Sequence, residues 1–191
     1  TRWHADHLRW MTPVFMSSIG YLYPNPKLWF ESLGFLFAFL AIALITLSSF
    51  WEYVSYYLAT PQTENLGHKK LQTILYAEEV LDALQCMYVV ACISAWPLTM
   101  HRDGKVTAFK ATIEEAAFFG SYSYYGIKVI MTAFVADAWT FWKHYVFHNP
   151  MVYAIHKDHH VYHNPSTFAG FAIHPVEAFW TFCPIFAMCI P

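Results

Sequence analysis

Residues 137–174 read DAWTFWKHYVFHNPMVYAIHKDHHVYHNPSTFAGFAIH, and this stretch decides the fold because histidines recur in it at helical spacing. It holds seven of the chain's 11 histidines. These are His144, His148, His156, His159, His160, His163 and His174. Each buried imidazole needs hydrogen-bond partners, so packing many of them into one patch is costly without a charge or a metal ion to satisfy them. The stretch therefore predicts a metal centre.

The spacing within the stretch predicts which histidines share a helix face. His144 and His148 are four residues apart, and on a helix such a pair projects from one side. His156, His159 and His160 stand at i, i+3 and i+4, again on one side. A lone histidine is more often a core residue than a ligand, but HxxxH followed by HxxHH favours metal ligands.

Three further residues extend this candidate site. His163, at i+7 from His156, continues the histidine stripe. Asp137 lies seven residues before His144, on the same side of the predicted helix, and is expected to orient an imidazole. His174 precedes a proline at the entrance of the next apolar segment. We expect it to lie beside the metal or to bind it.

The composition predicts an integral membrane protein. Hydrophobic residues make up 57% of the 191-residue chain and charged residues 13%, with a mean hydropathy of +0.32. An average soluble protein has about 25% charged residues. The length predicts a single domain, 1–191. The net charge of −2 offers no basic surface, so nucleic acid is not an expected partner.

The apolar segments predict an all-α fold with three to four transmembrane helices and a metal site at the helix ends. The clearest span is 33–51, with 19 residues and no charge, because about 20 apolar residues cross a bilayer. Further spans are expected over 83–100, from 122 to the first histidine pair, and from 177 to the end. Residues 1–27 mix Trp, Tyr, Arg and Pro and are expected to lie at the membrane interface, with Arg2, Arg9 and Lys27 reaching water.

The order of D-x6-HxxxH, HxxHH and an HP-x-E segment resembles the fatty acid hydroxylase superfamily of membrane di-iron enzymes. The resemblance covers 137–191, and FAGFAIHPVEAF is most similar to the branch of sterol C5-desaturases and C4-methyl sterol oxidases. It implies two iron ions, with zinc as the alternative metal. The implied iron ligands are His144, His148, His156, His159 and His160, with His163 and His174 as further candidates.

The resemblance also implies an activity, namely oxygen-dependent hydroxylation or desaturation of a sterol or fatty acyl lipid. The implied partners are the lipid bilayer, the lipid substrate and an electron donor such as cytochrome b5. The implied location is the endoplasmic reticulum membrane. No nucleophile elbow, Walker loop or dinucleotide fingerprint indicates another chemistry.

One feature of the family is missing before Pro191, a third histidine box of the form HxxHH. We therefore expect the chain to be incomplete at its C-terminus, and whether it is an enzyme stays open. The alternative is a non-catalytic, hydroxylase-derived membrane subunit that acts as a scaffold beside other membrane subunits. An organellar (mitochondrial) inner membrane would suit this second interpretation.

Overall fold

The computed structural model describes residues 2–58, 69–105, 122–162 and 165–187. Throughout these ranges the predicted all-α fold is confirmed, and no strand occurs. The helices are α1 (Arg2–Ile19), α2 (Pro26–Tyr53), α3 (Lys69–Arg102), α4 (Tyr122–Phe147), α5 (Tyr153–His156) and α6 (Pro175–Ala187). Short 3-10 turns cover Gly20–Leu22 and Lys157–His160, and a π-helical turn, Val54–Leu58, follows α2.

Two helices are long and apolar enough to cross a membrane, by length and composition. They are Pro26–Tyr53, which is α2, and Ala77–Arg102, which is most of α3. The Asn25 side chain starts α2 by accepting a hydrogen bond from the Leu28 amide at 3.3 Å. Large apolar side chains such as Phe39 and Ile42 are exposed on α2, as lipid contact requires. Helix α4 also has 26 residues, but three to four spans stay a prediction.

The core of the described structure lies around α3, which packs against α1, α2 and α6. The buried face of α3 carries small side chains, including the completely buried Ala83, Cys86, Val89 and Ala95. Small residues at a helix interface let the neighbouring backbones approach closely. This close packing lets α3 hold the first and the last described helices at once.

Helix α1 packs along α3, and an interfacial position for residues 1–27 stays a prediction. Near its start, the backbone carbonyl of Arg9 accepts a hydrogen bond from Gln85 Nε2 at 3.2 Å. Beyond its end, Tyr23 donates to Asp103 at 3.1 Å. The two helices therefore run in the same direction. The expectation that Arg9 reaches water is wrong, because its side chain is only 20% exposed and lies between two carboxylates.

The loop before α6 is held at the ends of two helices. The Thr167 amide donates to Glu52 Oε2 at 2.9 Å, near the end of α2. The Ser166 amide donates to Glu79 Oε2 at 3.2 Å, in the first part of α3. These contacts satisfy backbone groups that no helix satisfies. They also bring the histidine-rich segment to the helix ends, as predicted.

Candidate metal centre

The first histidine pair lies where α4 ends. His144 and His148 stand one turn apart, and their Nε2 atoms are 3.1 Å from each other. The helix stops at Phe147 because Asn149-Pro150 follows, and the residue before a proline disfavours helical backbone. The Asn149 side chain completes the turn by accepting from the Met151 amide at 3.0 Å. The chain thus reverses directly after the first pair.

The second pair comes from the short segment that follows. Helix α5 is a single turn ending at His156, and a 3-10 turn, Lys157–His160, continues it. The predicted amphipathic helix around 152–161 is therefore two different turns in succession. The Nε2 atoms of His156 and His160 lie 3.0 Å apart. His156 is completely buried, whereas His160 is on the exposed side.

The two pairs converge into one cluster. One ligand atom from each of His144, His148, His156 and His160 lies within 4.8 Å of all the others. Ligand nitrogens lie about 2.0–2.1 Å from a bound zinc ion, so two of them in a tetrahedral site are about 3.3–3.4 Å apart. The spacings of 3.1 Å and 3.0 Å within the two pairs are a little shorter than this separation. The four imidazoles could therefore hold a transition-metal ion.

A buried carboxylate supports the cluster from behind. Glu177 Oε1, in the first turn of α6, lies 2.9 Å from His156 Nδ1 and 2.7 Å from Lys143 Nζ. A carboxylate at Nδ1 favours the tautomer that carries its proton there and leaves Nε2 free to bind a metal. The sequence analysis assigned no role to Glu177. The sequence did contain an indication of such a role. Glu177 lies in the first turn of an apolar helix, and charged residues in such helices usually belong to a functional site.

Among the described residues, the structure does not bring Asp137 or His174 into this cluster. Asp137 is exposed on α4, and its role at the site stays a prediction. His174 is completely buried, and its Nδ1 accepts a hydrogen bond from the Val176 amide at 3.2 Å, which caps α6. The side chain of His159 and all of His163 lie outside the described part of the chain.

The electrostatics around His160 favour its neutral imidazole. Desolvation lowers the pKa of His160 below its ordinary value, and the neighbouring His156 and His148 lower it further. Glu177 acts in the opposite direction. A metal ion binds the unprotonated nitrogen of a neutral imidazole. The surroundings of His160 therefore favour the form of this side chain that binds metal.

These features define a class of protein: a membrane-associated chain that is all-helical over its described ranges and in which four histidines converge at the ends of helices. The family model described as fatty acid hydroxylase matches residues 129–191, which contain the whole cluster and Glu177. The similarity indicates a function of the lipid hydroxylase or desaturase type, and this family is typically di-iron. No curated protein and no solved structure gives a significant match to the chain.

Proposed function

We propose that the chain is a membrane di-iron oxygenase of lipid metabolism, which hydroxylates or desaturates a sterol or fatty acyl lipid. One observation carries this proposal. Ligand atoms of His144, His148, His156 and His160 converge within 4.8 Å, inside the region that matches the fatty acid hydroxylase family. Imidazole ligands suit iron, and a bound redox-active metal supplies the activation of oxygen that such chemistry needs.

The side chains of the cluster have separable roles. The four imidazoles would hold the metal, and Glu177 would keep the proton of His156 on Nδ1. Lys143 Nζ lies 2.7 Å from Glu177 Oε1, so the buried carboxylate is paired with a cation. In the hydroxylation, one C–H bond becomes C–OH while O2 takes up two electrons and two protons, and its second oxygen leaves as water. Neither the electrons nor the lipid have to cross the helix bundle.

The position of the cluster at the helix ends supports separate routes to the site for the lipid and for the electrons. A lipid would reach the site laterally from the bilayer, while an electron donor such as cytochrome b5 would approach from the aqueous side. The proposed location is the membrane of the endoplasmic reticulum.

A second function is favoured by the number of ligands. Within the described part of the chain four imidazoles converge, which would suffice for a single tetrahedral metal site, whereas two irons need further ligands beyond these four. A hydroxylase-derived membrane subunit that is not catalytic would need no more than this. It would act as a scaffold beside other membrane subunits, in an organellar (mitochondrial) inner membrane, with zinc in the cluster.

The decisive experiment measures iron and zinc per chain in the detergent-solubilised protein, together with its intact mass. Two irons per chain and oxygen-dependent oxidation of a lipid by the reduced protein are expected. His156→Ala should lose the metal, and His101→Ala, at the far end of α3, should retain it. One zinc per chain, or no metal, would contradict the di-iron oxygenase and favour the scaffold.

A further inference from the structure

Arg9 in α1 joins two carboxylates that are far apart in the sequence. Its Nη2 donates to Asp158 Oδ2 at 2.6 Å, and its Nη1 donates to Asp82 Oδ1. The three side chains are only 15–21% exposed, so solvent and salt screen these ion pairs less than pairs on an open surface. Burial lowers the pKa of Arg9, but the two carboxylates outweigh this effect and raise it.

A second contact anchors the same segment to the same residue of α3. The hydroxyl of Tyr162 donates to Asp82 Oδ2 at 3.0 Å. Asp82 therefore holds the segment directly at Tyr162 and, through Arg9, at Asp158. His160 lies between these two attachment points, and His156 lies two residues before the first of them.

This external support matters because the segment has little support of its own. Asp158 and His160 both lie in a 3-10 turn of four residues. Such turns have poorer hydrogen-bond geometry than an α-helix and are rarely longer. The orientation of His160 relative to His156 therefore depends on what holds the turn from outside.

We propose that Arg9 is a positioning residue of the metal centre, which fixes the turn Lys157–His160 and so sets the His160 imidazole against that of His156. The metal part of this inference rests on the proposed function. An arginine suits the task, because its planar fork directs two separate N–H groups at two carboxylates. A lysine ammonium is a single point charge on a flexible stem and cannot reproduce that arrangement.

The test compares Arg9→Met with Arg102→Met in the full chain. Arg102 is a matched control, because it also contacts a carboxylate and a second polar group, Glu31 and Ser32, at the opposite end of α3. Cobalt(II) titration, followed by its absorption spectrum, should show about 10–100-fold weaker binding in Arg9→Met, the usual effect of losing a group that supports ligands. Arg102→Met should bind as the parent does, and Arg9→Lys should restore only part of the loss.

A metal-free measurement keeps this inference separate from the proposed function. Amide hydrogen exchange over 157–162 should be faster in Arg9→Met and unchanged in Arg102→Met, with both proteins equally helical by circular dichroism. Asp158→Asn should give the same acceleration, and combining it with Arg9→Met should add little. A parent protein that binds no metal would sink the proposed function, while the exchange data would still decide the role of Arg9. Unchanged exchange in Arg9→Met would overturn the inference.

Discussion

Glu177 Oε1 lies 2.9 Å from His156 Nδ1, and both side chains are almost completely buried, at 1% and 0% exposure. The same oxygen contacts Lys143, so one carboxylate serves both a histidine of the cluster and a buried cation. Glu177 therefore contributes both to the cluster and to the contact between α6 and α4. The two roles can be separated by substitution.

Replacing Glu177 by glutamine tests its effect on the cluster. We expect Glu177→Gln to weaken metal binding about 10–100-fold, because the neutral amide no longer favours a proton on Nδ1 of His156. Glu31→Gln is the control, since Glu31 is 49% exposed and pairs with Arg102 at the other end of the bundle. Metal titration of the two variants checks this. Equal affinities would contradict a supporting role for Glu177.

Replacing Lys143 tests the contribution of the buried pair to stability. Lys143→Met leaves the Glu177 carboxylate buried without its cation, and removing one partner of such a pair costs about 3–5 kcal/mol. The double variant Lys143→Met/Glu177→Leu should regain most of this loss, since it buries no charge. Unfolding by denaturant in detergent measures both. A single variant as stable as the parent would show that the carboxylate is compensated by other groups.

Gly20 tests the packing where the chain turns from α1 towards α2. A Cβ atom at this position would overlap the indole ring of Trp29, which is completely buried and has no room to move. We expect Gly20→Ala to lower the free energy of unfolding by about 1–3 kcal/mol. Gly34→Ala, inside α2 with nothing within 4 Å of the new Cβ, should raise it by about 0.5–1 kcal/mol. Thermal unfolding of both variants measures these changes. Equal shifts in melting temperature would contradict the close contact between Gly20 and Trp29.

The exposed apolar side of α2 predicts a membrane span. Ile42 is 64% exposed near the middle of the helix, so Ile42→Lys should cost about 3 kcal/mol of insertion free energy. The inserted fraction in a microsomal glycosylation assay should fall accordingly. Lys27→Asp, at the start of α2, should have little effect. Insertion of the Ile42→Lys helix at the parental level would argue that this side of α2 does not face lipid.

Local periodicity explains what could be predicted from the sequence. The spacing of four residues in His144/His148 and His156/His160 indicated that each pair shares one side of a helical turn, and the structure brings both pairs together. Apolar length likewise predicted α2 and the second span. These features are encoded within a few turns of the chain, so they need no knowledge of tertiary contacts.

Tertiary contacts explain what the sequence analysis missed. Arg9 and Asp158 are 149 residues apart, and no local pattern relates an arginine in an aromatic-rich segment to an aspartate between histidines. Composition indicated an interfacial segment for residues 1–27, but it could not indicate that α1 packs along α3. Asp137 fitted the helical spacing, but the carboxylate that contacts the cluster comes from α6, the next long helix along the chain.

The contact between Arg9 and Asp158 has a consequence for biosynthesis. The first helix is made long before the histidine segment, and closing a loop of this size carries an entropic cost that only later contacts offset. The turn that carries His160 gains the support of Arg9 only once both ends of this loop have met. Correct metal loading would then be a late event, and the metal content of a preparation would report the fraction of chains that have finished folding.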